Sequence, residues 1–280
     1  MTTTAHRPYC VMGNPIAHSR SPWIHARFAA LTGQSLGYER QLVPLDGFTD
    51  AVRAFAAAGG HGCNVTVPFK LEAAALATTR SERVQLAGAA NTLKFEDDGS
   101  IHADNTDGLG IVADIQQGAG VRLEGADVLL IGAGGAGKGV LGPILREGPR
   151  RVVVVNRTVA KAEELVQAHS AIASLQKTEL LAHGLQGLEG DFDVVINGTA
   201  TSLAGEGVPV PASVLRPGAL AYDMMYGPAA QGFMDWATQH GAQARDGLGM
   251  LVEQAAESFL LWRGVRPPSA PVLAELRAQL

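Results

Sequence analysis

The chemistry-bearing stretch with the most demanding spacing is Gly132-Ala133-Gly134-Gly135-Ala136-Gly137, a G-x-G-x-x-G pattern directly after the apolar run Asp127 to Ile131. The first glycine makes a tight turn, and the second lets backbone N–H groups approach a pyrophosphate. The third lets the following helix pack closely on the strand, leaving the positive end of that helix at the phosphates. A strand before, and a helix and second strand after, supply the context, so a dinucleotide site is preferred to a plain structural turn. The second strand, Val152 to Val155, ends in Asn156-Arg157-Thr158, with Lys161 one turn further on. An acidic residue there would bind a ribose 2′-hydroxyl and repel a 2′-phosphate. Arg157 can instead grip a phosphate as a fork, Thr158 can donate a hydroxyl, and Lys161 adds charge. The plainer alternative is a solvated basic helix start, but cations at a helix N-terminus are unfavourable without an anion. NADP is therefore expected rather than NAD.

A second group of polar residues sits at strand ends and in loops of the N-terminal half, where a packed core does not require them. It comprises Ser19 and Ser21 in GNPIAHSRSP, Asn64, Thr66 and Lys70 in NVTVPFK, Asn91 in AANT, and Asn105 and Asp107 in DNTDG. Each has a bland reading on its own. Ser21 reads as a helix cap, Asn91 as a satisfier of turn backbone, Asp107 as the cap of the helix after it, and Lys70 as a solvated lysine.

The elements that must position these groups are legible from periodicity. Residues 9–13 read as a strand, and Ser21-Pro22 as the N-cap and N1 pair of a helix through Leu31. A strand at 38–43, a helix at 47–58 ended by Gly59-Gly60, and a strand at 62–67 stopped by Pro68 follow. Short helices fall near 69–77 and 81–87, and Asp97-Asp98-Gly99 marks a hairpin between 91–96 and 100–103, near the edge of the layer. From about 107 the texture changes to a helix ending near 117, then strands at 127–131, 152–155, 192–196 and 219–223 with a helix at 159–168 among them. That rhythm fits a parallel, doubly wound sheet. A helix from Gly249 to Trp262 and a short one at 271–279 complete the chain. The expected class is α/β, with an α/β domain over 1–106 and a doubly wound, Rossmann-type domain over 107–246.

Composition narrows the rest. Over 280 residues, 46% hydrophobic content supports two buried cores, and a net charge of −5 offers no basic field for nucleic acid or an anionic membrane. An anionic small substrate would need a local positive site. Met1 to Pro8 carries no secretory pattern, and the most apolar runs are strand-length, so a cytoplasmic protein without membrane spans is expected. Cys10 and Cys63 both fall in strands of one domain; a disulfide is possible in principle, and two buried thiols are preferred. The eight histidines show no metal-ligand spacing, so no metal is expected. A monomer and a homodimer are equally compatible with the sequence.

Taken in order, GNPIAHSRSP, NVTVPFK, AGAANT, DNTDG, GAGGAG, NRT and DGLGMLVEQA resemble the shikimate dehydrogenase family along nearly the whole chain. The resemblance implies reversible NADPH-dependent reduction of 3-dehydroshikimate to shikimate, with an open α/β substrate domain over 1–106, completed by the C-terminal helices at 247–280, and a Rossmann cofactor domain over 107–246. It implies that Lys70 and Asp107 are the catalytic pair, an ammonium and a carboxylate able to hydrogen-bond the reacting oxygen and shuttle its proton. Ser19 and Ser21 resemble the hydroxyls that hold the substrate carboxylate. Thr66, Asn91, Asp107 and Gln254 resemble the groups reading its ring oxygens, and Tyr226 a further substrate contact. On the cofactor side it implies Gly132 to Gly137, Asn156, Arg157, Thr158 and Lys161, with Met224 and Gly247 near the nicotinamide, and Glu82. Lys161 stands where many relatives carry arginine, which keeps the charge and loses the fork. Lys138 follows the glycine loop, Asn197-Gly198-Thr199 replaces a commoner Asn-Ala-Thr, and 227–232 departs from the usual Thr-Pro-Phe. An NAD-dependent quinate/shikimate relative would carry an acidic residue at 156–158, and a retired binding protein would have lost Lys70 or Asp107.

Overall fold

The computed structural model describes residues 8–199 and 207–280. The chain forms two compact units, one from the segment up to Thr106 with Val252–Gln279, the other from Asp107–Leu251 with Leu280.

In the first unit the order is β1 (Pro8–Gly13), α1 (Ser21–Thr32), β2 (Gly37–Leu42), α2 (Phe48–Ala57), β3 (Gly62–Val65), α3 (Lys70–Leu76), β4 (Thr79–Arg80), α4 (Glu82–Ala87), β5 (Thr92–Phe95) and β6 (Ile101–Asp104). The sheet runs β2-β1-β3-β5-β6-β4, with β1 parallel to β2 and β3, and β5 antiparallel to β3 and β6. The antiparallel hairpin is therefore internal, because β4, too short to be read from periodicity, pairs outside β6. Side chains alternate across the sheet. Cys10, Met12, Cys63, Val65 and Leu93 pack with Phe48 and Val52 of α2 and Phe69 and Ala73 of α3. Cys10 and Cys63 lie opposite each other in the β1–β3 register as buried free thiols.

The second unit contains α5 (Asp107–Ala113), β7 (Asp127–Ile131), α6 (Gly135–Arg146), β8 (Arg151–Val155), α7 (Val159–Gln176), β9 (Glu179–His183), β10 (Phe192–Asn197), β11 (Leu215–Asp223), α8 (Gln231–Gln239) and β12 (Gln243–Arg245). Its six strands are all parallel in the order β12-β11-β10-β7-β8-β9, so the winding reverses between β7 and β10. Residues 128–131, 152–155 and 194–197 are buried throughout, as expected of strands covered on both faces. The helix α9 (Leu248–Arg263) runs from this unit's last residues into the first unit, and α10 (Ser269–Arg277) follows. Within the first unit, α9 lays Phe259 against Phe28 and Trp262 against Tyr9, at ring distances of 5.9 and 4.7 Å.

Several sequence expectations are corrected. Ser21 is not a cap: Arg20 holds that position, Ser21 and Pro22 are the first helical residues, and the Ser21 amide donates to Ser19 Oγ at 3.3 Å. β3 stops at Val65, leaving Thr66 in the turn before the cis Val67-Pro68 bond. The helix expected to reach 117 leaves α geometry at Asp114 and continues as a π-turn to Gly118. There the Asp114 carboxylate turns inward to accept from Arg245 Nε at 2.8 Å and Tyr222 OH at 2.8 Å. α7 continues eight residues past the expected end at 168, because His169 turns inward and bonds the Leu165 carbonyl instead of ending the helix. β12 is too short to be read from sequence, and β9 and α8, the latter with its apolar residues on one face, were missed.

His25 of α1 is fully buried, stacked on Tyr38 at 4.3 Å and faced by Trp262 and Phe259. Burial pushes its pKa down to about 3, against a smaller opposing pull from Asn64. The folded chain thus refuses a proton that the unfolded chain takes below its ordinary value near 6.5. Stability from this group is intact above about pH 6.5 and falls by roughly 1.4 kcal/mol per pH unit below it. Urea denaturation at pH 7 and pH 5 should show this slope, and His25→Leu should flatten it. An unchanged slope in the variant would show that other groups set the acid response.

Candidate active site

The polar groups of the first unit converge on a buried amide. Asn91, 3% exposed, closes the turn between α4 and β5. Its backbone is held from two sides, by Val65 N–H to its carbonyl (2.8 Å) and by its own N–H to the Asp104 carbonyl (3.1 Å). Its side-chain oxygen accepts from Thr92 Oγ1 (2.9 Å) and from the Thr106 amide (2.9 Å). Its side-chain nitrogen donates to Thr106 Oγ1 (2.9 Å) and Gln254 Oε1 (3.2 Å). Ser258, one turn after Gln254, lies 2.8 Å from Thr92 Oγ1, and Asn64 Nδ2 donates to it at 3.0 Å. Asn64 in turn accepts from Tyr38 OH at 2.7 Å. Asn91 and Gln254, both expected from sequence, are therefore in direct contact. Thr92, Thr106 and Ser258 were missed. The only clue for Ser258 was its i, i+4 spacing from Gln254, which puts both on one helical face.

Lys70 is the first residue of α3 and half-buried. Its carbonyl accepts from the Ala90 amide at 2.8 Å, which pins the start of α3 beside the turn holding Asn91. Thr66 sits one turn earlier, its amide on the Met12 carbonyl at 3.0 Å. Ser19 and Ser21 stand side by side between β1 and α1, with the Ser19 hydroxyl 3.2 Å from that of Ser21. The Asp104 carboxylate holds the DNTDG turn by accepting from Ser81 Oγ (2.7 Å), Arg83 Nη2 (2.6 Å) and the Asn105 amide (2.7 Å). Glu82 is exposed in the first turn of α4, where a carboxylate complements the helix's positive end.

In the second unit, Asp107 is the first residue of α5 and 9% exposed. Gly108 beside it touches α6 so closely that a Cβ would overlap Pro143 and the Gly139 carbonyl. α6 begins at the glycine loop. Gly132 holds φ +105°, and a Cβ on Gly137 would overlap the Gly132 carbonyl oxygen, so both glycines are dictated by local geometry. At Gly134 and Gly135 the space is open: a Cβ would meet nothing within 4 Å. The first turn of α6 has no acidic residue and no side-chain cap, which leaves its N–H groups facing this open cradle. The first turn of α7 has no acidic residue either, and Arg157, Thr158 and Lys161 are exposed around it. Asn156 ties the two places together, accepting from the Ala133 amide (3.2 Å) and donating to the Thr158 carbonyl (2.9 Å). The cradle and its cations fit a pyrophosphate and a further phosphate.

On the other side of the winding reversal, the end of β10 abuts the loop, with the Thr199 methyl and the Gly198 carbonyl against Gly132. Buried Asp223 accepts from Asn197 Nδ2 (3.1 Å) and the Met225 amide (2.9 Å), which fixes the backbone around Met224. Gly247 passes so close to the Met224 carbonyl that no Cβ fits. Tyr226, half-buried, precedes the 3-10 turn Gly227–Ala230. Asn197 and Asp223, missed as positioning groups, are polar residues ending otherwise apolar strands.

A parallel sheet with this order, and a glycine loop at its reversal, define a dinucleotide-binding architecture. Three family models match: a shikimate dehydrogenase substrate binding domain over residues 11–93, shikimate/quinate 5-dehydrogenase over 114–204, and a shikimate 5′-dehydrogenase C-terminal domain over 247–277. The chain belongs to the shikimate dehydrogenase family. It is 77% identical to a shikimate dehydrogenase (NADP(+)) of Acidovorax sp. (strain JS42), over 99% of this chain and 98% of that one. Among solved structures it resembles an Ael1 enzyme from Pseudomonas putida, at 46% identity and TM-score 0.90, covering 96% of this chain and 98% of the other. It also resembles shikimate 5-dehydrogenase from Thermus thermophilus in complex with NADP(H) and shikimate, at 29% identity and TM-score 0.80, covering 98% of this chain and 100% of the other.

Removing the Asn91 amide strands the buried Thr106 N–H, while the Thr92 hydroxyl keeps Ser258 as a partner. Asn91→Ala should therefore cost about 2–3 kcal/mol in urea unfolding, and Ser258→Ala about 1 kcal/mol. A loss below about 1 kcal/mol for Asn91→Ala would mean that water replaces the amide readily.

Proposed function

We propose that this chain interconverts shikimate and 3-dehydroshikimate with NADP as cofactor, in the cytoplasm, as a monomer or homodimer. The observation that carries the reading is the 77% identity to a shikimate dehydrogenase (NADP(+)) over 99% of the chain. Every motif residue of the resemblance is present alongside it. The structure of a Thermus thermophilus relative with NADP(H) and shikimate supports the choice of ligands. The two unbonded thiols on β1 and β3 suit a reducing compartment.

In this reading residues 1–106, with the C-terminal helices, hold the substrate, and residues 107–246 hold the cofactor. The glycine loop at 132–137 receives the pyrophosphate on the α6 N–H groups, and Arg157, Thr158 and Lys161 receive the 2′-phosphate. Asn156 braces those two places, and Met224 and Gly247 shape the nicotinamide side. Bound NADP supplies the hydride acceptor or donor. The chain's own residues manage the proton and the geometry. Ser19 and Ser21 donate hydrogen bonds to the substrate carboxylate, while Thr66, Asn91, Gln254 and Tyr226 orient the ring and its oxygens. Lys70 hydrogen-bonds the reacting oxygen and takes or gives its proton, and Asp107 accepts from a substrate hydroxyl.

The test is shikimate-dependent reduction of NADP+ followed at 340 nm, with quinate and NAD+ in crossed reactions. Turnover should be strong only with shikimate and NADP+, and Lys70→Ala should lower kcat by about 10²–10⁴-fold. Arg157→Ala should raise KM for NADP+ by about tenfold and leave KM for NAD+ nearly unchanged. Faster turnover with quinate or NAD+ would reassign substrate or cofactor, and silence with every pair would overturn the reading.

A further inference from the structure

The two hydroxyls assigned above to the substrate carboxylate are neutral, and the chain as a whole carries a net charge of −5. A guanidinium stands next to them. Arg40, on the edge strand β2, is paired with Val11 in the β1–β2 register. It donates to the Ser19 carbonyl twice, from Nε at 2.9 Å and Nη2 at 2.7 Å. Among the described residues no carboxylate forms an ion pair with Arg40, and Nη1 makes no hydrogen bond. The Ser19 amide is held on its other side by the Ile16 carbonyl at 3.1 Å. Both backbone groups of Ser19 are thus anchored, and one anchor is a charged fork reaching across from a different strand. With the peptide fixed, the Ser19 hydroxyl keeps its 3.2 Å spacing from Ser21 Oγ and its bond from the Ser21 amide. The two hydroxyls then lie side by side, as two donors to one carboxylate must.

We propose that Arg40 is a positioning residue for the substrate carboxylate: its guanidinium locks the Ser19 carbonyl, sets the Ser19–Ser21 hydroxyl pair, and supplies the local positive charge which that pair lacks. The proposal rests on the shikimate reading. A loop carbonyl could be satisfied by water at little cost, whereas a fixed fork removes the peptide's freedom to rotate before the ligand arrives. The unpaired charge matters in the same direction, because a carboxylate leaving water gains from a cation nearby that is not neutralised by another group.

The experiment compares wild type, Arg40→Gln and Arg40→Lys in the shikimate and NADP+ assay, with the methyl ester of shikimate as a second substrate and thermal unfolding run alongside. Arg40→Gln should raise KM for shikimate by about tenfold, with kcat and KM for NADP+ within about twofold of wild type. Arg40→Lys, which keeps the charge and loses the fork, should fall between them. With the uncharged ester, wild type and Arg40→Gln should become nearly equal. If Arg40→Gln does not fold, Arg40→Lys carries the same comparison of acid against ester. A loss in kcat, or an equal loss for acid and ester, would reduce Arg40 to a structural strut and overturn the proposal. Wild type that fails on shikimate would instead overturn the functional reading, so the two failures are told apart.

Discussion

The side-chain amide of Asn91 is the constraint on which the first unit's polar interior depends. A primary amide offers both donors and an acceptor, and here they are taken by the neighbouring Thr92, by Thr106 of the next turn and by Gln254 of the C-terminal helix. No other neutral side chain of that size could serve Thr92, Thr106 and Gln254 at once. In a site walled by apolar strands, an unmatched member would be costly, so the amide, hydroxyl and backbone positions determine one another. Strand end, turn and C-terminal helix are set by one residue.

The second unit solves its geometric problem by omission. Gly108, Gly132, Gly137 and Gly247 each stand where another backbone or ring comes too near for a Cβ. These approaches draw α5 onto α6, α6 onto β7, and the Asp246–Leu248 turn onto the end of β11. By contrast, Gly134 and Gly135 have room to spare. A structural account alone would tolerate alanine at those two positions. That difference separates the glycines dictated by packing from two that packing does not dictate.

The reading from sequence succeeded where one residue type has one physical use. The glycine loop, the Asp97-Asp98-Gly99 hairpin and the longer apolar strands of both sheets follow from backbone sterics and apolar patterning, and these are found. It faltered where a polar residue has several uses. Ser21 looked like a cap because a serine precedes a proline, yet the hydroxyl serving the helix start belongs to Ser19. Asp114 looked like one more helical residue, because burial of its carboxylate depends on Tyr222 and Arg245, distant in sequence. Thr92, Thr106 and Ser258 were invisible for the same reason: their neighbours come from stretches that only the tertiary fold assembles.

The first unit is discontinuous, and that has a consequence for how the protein is made. Its sheet is encoded before residue 105, but the aromatic ring and hydroxyl that cover one face arrive with α9, where Trp262 bonds the Leu93 carbonyl and Ser258 meets Thr92. Arg27 of α1 waits longer still for Glu275 of α10. On the ribosome, the later-encoded second unit holds all its strands once residue 245 has emerged, while the first unit still lacks its closing helices. The order of synthesis and the order of completion are therefore reversed, and for the length of that delay the nascent chain carries a sheet with one face incompletely covered.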